Sequence, residues 1–199
     1  IVGIDLGTSN SVAAVWHPGF NRAEVVYRTA STLTFEDAWG SPEVGLSAPA
    51  CATATASSSS SSSHISGAKM VMGLTSAQVR DSLPIGAVEE RLPPNLDLSA
   101  AAPAFLCHLG SGDSGGVSRV SPEEACTHLL RAVRTNAENH LFRTNPLFRA
   151  ATASTSAGSA CYLRENNLTH SGSDSGYSLY RAVIGIPASF AEAQRQAIR

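Results

Sequence analysis

Ile1-Val2-Gly3-Ile4-Asp5-Leu6-Gly7-Thr8-Ser9-Asn10 opens the chain. Its first six residues read as a buried strand, and the next four as a tight turn. Asp5 sets a carboxylate at the end of that strand. Gly7 allows close approach of the backbone to an anion, and the N–H groups of such a turn form an anion-binding concavity. The Thr8 and Ser9 hydroxyls can donate to phosphate oxygens. Asp5 offers a hard oxygen to Mg²⁺, which keeps several waters and bridges to phosphates. An ordinary β-hairpin turn uses the same residue types, so the physics of these ten residues leaves both readings open.

The strands continue from the turn. Ser11 to Trp16 reads as a second strand and Ala23 to Arg28 as a third, separated so shortly that a meander follows. Thr75 to Leu83 carries Ala77, Val79 and Leu83 at short-helix spacing. Residues 84–119 are rich in Pro, Gly and Ser, with room for one or two short strands. Ser121-Pro122-Glu123-Glu124 then presents an N-cap Ser, Pro at the first helical position and Glu at the third. Ala125, Leu129, Val133, Ala137 and Leu141 repeat on one face, which predicts a helix over 122–141. Tyr180 to Ile186 reads as a buried strand stopped by Pro187. Ser189-Phe190-Ala191-Glu192 reads as a second capping box opening a helix from Phe190 to Arg199. Strands, then helices, then strand–turn–helix describe an α/β chain with a mixed sheet.

Two stretches break this order. Residues 47–63 are mostly Ser, Ala and Thr and end in seven consecutive serines. Residues 143–178 are polar with Gly and Ser clusters. Neither composition forms a packed core, so both read as disordered inserts. The formal net charge of −2 argues against a face for nucleic acid, which needs a basic excess. No apolar run reaches the ~20 residues of a membrane helix. Cys51, Cys107, Cys126 and Cys161 show no C-x-x-C spacing and read as reduced thiols, not metal ligands. Position 1 is Ile and strand residues begin at once, as expected of a piece of a longer protein.

Four segments carry a family resemblance. Ile4-Asp5-Leu6-Gly7-Thr8-Ser9-Asn10-Ser11 resembles the first phosphate loop of the heat-shock protein 70 family, a branch of the actin and hexokinase superfamily. Val183-Ile184-Gly185-Ile186-Pro187-Ala188-Ser189-Phe190, with Gln194-Arg195-Gln196-Ala197, resembles that family's V-x-V-P-A-x-F…Q-R-Q-A signature. Ser121-Pro122-Glu123-Glu124 is similar to its S/Y-P-E-E helix start, and Ala137-Glu138 to its A-E segment. Gly67-Ala68-Lys69-Met70-Val71-Met72-Gly73 is similar to its A-K-R-L-I-G segment. The resemblance covers 1–46, 65–83, 120–141 and 180–199. It is specific at the two ends and loose between them, and the turn after the third strand is barely recognisable near Ala30–Phe35.

The resemblance implies an α/β, actin-like ATPase (ribonuclease H-like) fold, first lobe only, a mixed β-sheet with flanking helices. Residues 1–199 would form part of a nucleotide-binding domain, without the second lobe, the peptide-binding domain or its lid. It implies ATP/ADP and Mg²⁺ as cofactors. Lys69, the single Lys of the chain, would match the family's catalytic lysine near the γ-phosphate. A compact ammonium suits that place better than an Arg fork. Asp5 would hold Mg²⁺ through water, and Gly7, Thr8, Ser9 and Asn10 would cradle the phosphates. Pro187 would match the proline of nucleotide-dependent switching, and Arg195 the arginine that relays it. A solvated surface role for Lys69 and for Arg195 is the plain alternative.

The function implied is an ATP-hydrolysing chaperone acting on unfolded client peptides with J-domain and nucleotide-exchange co-chaperones. A cytoplasmic place, no nucleic acid and no membrane are expected. The isolated stretch would hold half a nucleotide site and turn over little ATP. An alternative is a family relative acting as a regulatory or binding module without turnover. A sugar kinase also opens with D-x-G-T, but the I-P-A-S-F…Q-R-Q-A ending speaks against it.

Overall fold

A computed structural model describes residues 1–17, 20–35, 41–45, 63–82, 92–93, 95–109, 116–144, 146 and 182–198. The strands β1 (Val2–Leu6), β2 (Asn10–His17) and β3 (Arg22–Ala30) form an antiparallel meander. In β1, Val2, Ile4 and Leu6 are buried while Gly3 and Asp5 are exposed. That alternation belongs to a strand covered on one face only, so the continuous apolar run at the chain start does not make a strand buried on both sides. A β-bulge between Ala13 and Ala14 shifts the β2–β3 register.

A second, three-stranded sheet follows. Its strands are β4 (Thr32–Phe35), β5 (Glu43–Val44) and β6 (Ser63–Ser66), in the order β5-β4-β6. Two short helices come next, α1 (Ala68–Val71) and α2 (Ser76–Asp81). Thr75 caps α2, its hydroxyl accepting from the Gln78 N–H at 3.2 Å. The strands β7 (Leu96–Asp97), β8 (Ala104–Leu109) and β9 (Gly116–Val120) make a third sheet, where the composition of 84–119 predicted one or two strands.

Helix α3 (Pro122–Thr144) starts where predicted, with the Ser121 hydroxyl accepting from the Glu124 N–H at 3.1 Å. Ala125, Leu129, Val133, Ala137 and Leu141 are all buried. The second half of the stripe packs on the first sheet, Val133, Ala137 and Leu141 meeting Val2, Ile4, Ala13 and Val26. The first half enters a larger core with Leu6, Leu33, Ile65 and Phe105. Strand β10 (Ala182–Gly185) then returns to the first sheet and pairs with β1 in parallel, Val2 opposite Ala182 and Asp5 opposite Gly185. The sheet order is β10-β1-β2-β3. The described residues therefore form a mixed α/β structure.

Three sequence expectations need correcting. β10 is an edge strand with Val183 63% exposed, not a buried one. The last helix, α4, spans Glu192–Gln196 and not Phe190 onward. The Phe190 N–H donates to the Pro187 carbonyl at 3.2 Å and closes a turn, so the helix starts after it. Ser189 consequently caps nothing. Ala191 takes the N-cap position, and its N–H donates to the Gln194 side-chain oxygen at 3.2 Å. The stretches expected as inserts are also shorter at their edges. Ser63 is buried in β6, and Arg143 and Thr144 belong to α3. The rest of 47–63 and of 143–178, apart from Pro146, lies outside the described residues. Among the described residues no helix is long and apolar enough to cross a membrane.

Candidate phosphate site

The turn between β1 and β2 is built by a close approach. A Cβ on Gly7 would overlap the carbonyl oxygen of Asn10, so only glycine fits there. The turn is fastened from a residue distant in sequence. Ser31, between β3 and β4 and 4% exposed, donates its hydroxyl to the Gly7 carbonyl at 2.7 Å. Its backbone N–H donates to the Ser9 carbonyl at 2.9 Å. Ser11, fully buried, lies 2.8 Å from the Ser31 hydroxyl. Among the described residues no hydrogen bond engages the Thr8 or Ser9 hydroxyls or their N–H groups. Ser31 thus holds two carbonyls of the turn, those of Gly7 and Ser9.

The turn borders an open groove of about 440 Å³ lined by Thr8, Ser9, Thr32, Ser66, Gly67, Met70, Leu92 and Pro93. Thr8, Ser9 and Asn10 are exposed. Asp5 is exposed on the uncovered face of the sheet, and the missing side chain of Gly185 leaves room beside its carboxylate. Asp5 does not itself line the groove; a lone exposed carboxylate is the kind of ligand Mg²⁺ takes together with several waters and a phosphate. Among the described residues no group of three or more His, Cys, Asp or Glu could hold a metal through side chains alone.

Lys69 sits elsewhere. It lies in α1, is 6% exposed, and its Nζ stands 5.5 Å from the centre of the Phe190 ring. Among the described residues it has no carboxylate partner, and its ammonium rests over the aromatic face of Phe190. The groove is bordered by its neighbours Gly67 and Met70 and not by Lys69 itself. The plain reading of Lys69 as a solvated surface lysine does not hold, because the residue is buried.

The same segment is joined to the chain end at a second point. Gly73 has φ +71°, and a Cβ there would come within 2.8 Å of the Ala193 carbonyl oxygen and the Gln194 Cα. Its N–H donates to the Glu123 carboxylate at 2.7 Å. The segments 67–73, 121–124 and 187–196 thus meet in one place. Arg195 folds back on the turn that follows Pro187, donating to the Phe190 carbonyl at 3.0 Å and the Ala188 carbonyl at 3.2 Å. Pro187 and Arg195 therefore belong to one hydrogen-bonded unit with Phe190, the ring beneath Lys69.

Cys107 and Cys126 are buried free thiols. Burial, aided by Glu124, pushes the Cys107 thiol up to about 11. Burial and Glu123 push that of Cys126 up to about 12, against the opposing charge of Lys69. Both thiols therefore stay protonated at neutral pH.

Ser31, Ser11 and Phe190 were not singled out as site residues in the sequence. Their contacts cross 20 residues or more, and nothing local marks a serine or phenylalanine for such a role. No family model matches the chain, and no curated protein matches it.

Proposed function

We propose that this chain belongs to an ATP-hydrolysing chaperone of the heat-shock protein 70 type and forms the first-lobe part of its actin-like (ribonuclease H-like) ATPase domain. The observation that carries the reading is the parallel pairing of β1 with β10. It sets Asp5 opposite Gly185 and brings two motifs from opposite ends of the chain side by side. The contact of Lys69 with Phe190 joins a third motif to the segment that follows β10, away from the groove. The mixed sheet, an antiparallel meander with a parallel strand added on β1, supports the fold assignment.

In this reading the Thr8 and Ser9 hydroxyl and N–H donors would bind the phosphate oxygens of ATP, and Asp5 would hold Mg²⁺ through water. Mg²⁺ would supply positive charge to the phosphates. Lys69 swings off Phe190 on its four-carbon stem and places its ammonium against the charge that builds on the γ-phosphoryl group. Such positioning and charge stabilisation make up nearly all catalysis in phosphoryl transfer. Arg195 and the turn after Pro187 then feel the departure of Lys69 through Phe190. Client peptides, J-domain and nucleotide-exchange co-chaperones would engage other parts of the full-length protein, in the cytoplasm.

A second reading is favoured by the resting place of Lys69 away from the groove. It is a relative that binds nucleotide as a regulatory module without turning it over. Calorimetry and single-turnover hydrolysis with Mg·ATP on the full-length protein separate the two. Under the ATPase reading, Lys69→Met lowers the hydrolysis rate by roughly 100-fold or more and changes the ATP Kd by less than about threefold, because it acts on the transition state. Asp5→Ala weakens Mg·ATP binding itself. Tight binding by the wild type with no turnover establishes the regulatory module. No binding by the wild type overturns both.

A further inference from the structure

We infer that Ser31 is a positioning residue for phosphate binding, holding the Gly7–Asn10 turn in its anion-accepting shape from outside the phosphate loop. The inference rests on the nucleotide-binding reading above and extends it to a residue no motif marks. A serine hydroxyl has one proton to give. Ser31 gives its proton to the Gly7 carbonyl, so the Ser11 hydroxyl must donate to Ser31. The result is a directed chain, Ser11 to Ser31 to Gly7, with the Ser31 N–H closing on the Ser9 carbonyl.

The arrangement has a consequence for anions. Carbonyl oxygens repel phosphate, and a four-residue turn can rotate its peptides so that either carbonyls or N–H groups face outward. Two carbonyls of this turn, those of Gly7 and Ser9, are bound on the inner side by one residue. The peptide planes are thereby held, beside the groove that Thr8 and Ser9 line. The anchor is itself well held. Ser31 is 4% exposed between two strands, and the Ser11 side chain below it is wholly buried. Preorganisation of this kind lowers the ordering cost that binding would otherwise carry.

The test uses the full-length protein with Mg·ATP and, separately, tripolyphosphate as probes, with thermal unfolding recorded for every variant. Ser31→Ala removes the donor to Gly7 and should raise the Kd for both probes roughly tenfold, the scale of one buried hydrogen bond left unmade. Ser31→Thr keeps the hydroxyl and should restore most of that loss. Leu141→Ala opens a cavity where α3 packs on the first sheet, so it lowers the melting temperature and should change both Kd values less than about threefold. A Ser31→Ala protein that melts lower but binds both probes as the wild type does overturns the inference and leaves Ser31 a packing residue. Equal losses in Leu141→Ala and Ser31→Ala also overturn it, since the effect would then follow stability and not the Gly7 bond. Failure of the wild type to bind either probe overturns the nucleotide reading together with this one. Wild-type binding without an effect of Ser31→Ala removes this one alone.

Discussion

Two glycines with positive φ bracket Lys69, and they differ in what surrounds them. Gly67 has φ +67°, yet a Cβ there would only touch Pro93 and Met70 at 3.5 Å or more. Gly73 has φ +71° and backbone atoms of Ala193 and Gln194 within 3.0 Å of the same position. A left-handed alanine costs about 1–2 kcal/mol in either place. At Gly73 the added methyl must also displace α4, and backbone cannot yield as a flexible side chain would. Gly73→Ala should therefore destabilise by about 3 kcal/mol and Gly67→Ala by about 1 kcal/mol. Urea midpoints of the two variants against wild type check this, and equal losses would remove the close packing of Gly73 on α4 from the account. The single lysine teaches a related lesson. Its type suggested a phosphate role, but its burial against Phe190 came from the neighbouring turn.

Helix α3 shows how far local rules reach. Its cap, its Pro at the first turn, its acidic start at Glu123 and Glu124 and its five-residue apolar stripe are all written within 23 residues, and all are found in place. Ser121→Ala removes the hydroxyl that accepts from Glu124 and should destabilise by about 1 kcal/mol. Chemical denaturation followed by far-UV circular dichroism reads that loss, and Ser121→Asp should recover it. Helix α4 obeyed a competing rule. Ser189 and Glu192 have capping-box spacing, but the Pro187–Phe190 turn claims the intervening backbone and moves the start to Glu192. Strand β10 was legible as a strand from its β-branched run. Its exposure was not, because edge or centre depends on which strands lie on either side.

Helix α3 spans both apolar cores of the described residues, with Leu130 packed against each. Cys107 and Cys126 lie in the larger one. Their raised pKa values give the whole structure a pH dependence with a definite sign. Below pH 9, the ordinary value for the thiol, folded and unfolded chains both keep the protons. Between about 9 and the folded values of about 11 and 12, the unfolded chain releases protons that the folded chain retains. Stability should therefore fall as pH rises through that window, by up to about 1.4 kcal/mol per pH unit for each thiol. Urea unfolding at pH 8 and pH 10 measures the fall. Alkylation at pH 9 supplies the independent check, with both thiols modified at least ~tenfold more slowly in the native protein than in urea. Comparable native and denatured rates would show that neither thiol is held away from water.

The strands of the meander, the turn at Gly7 and the cap and apolar stripe of α3 follow from forces that act over a few residues, and the order of residues was enough to place them. The same local reading singled out Thr8, Ser9 and Asp5 by residue type alone. It could not say that β10 pairs in parallel with β1, that Ser31 reaches back 24 residues to the Gly7 carbonyl, or that Lys69 rests on Phe190. Each of these joins segments far apart in the chain. Contacts of that kind are selected by burying apolar area and satisfying polar groups across the whole fold, and no short window of residues carries that balance.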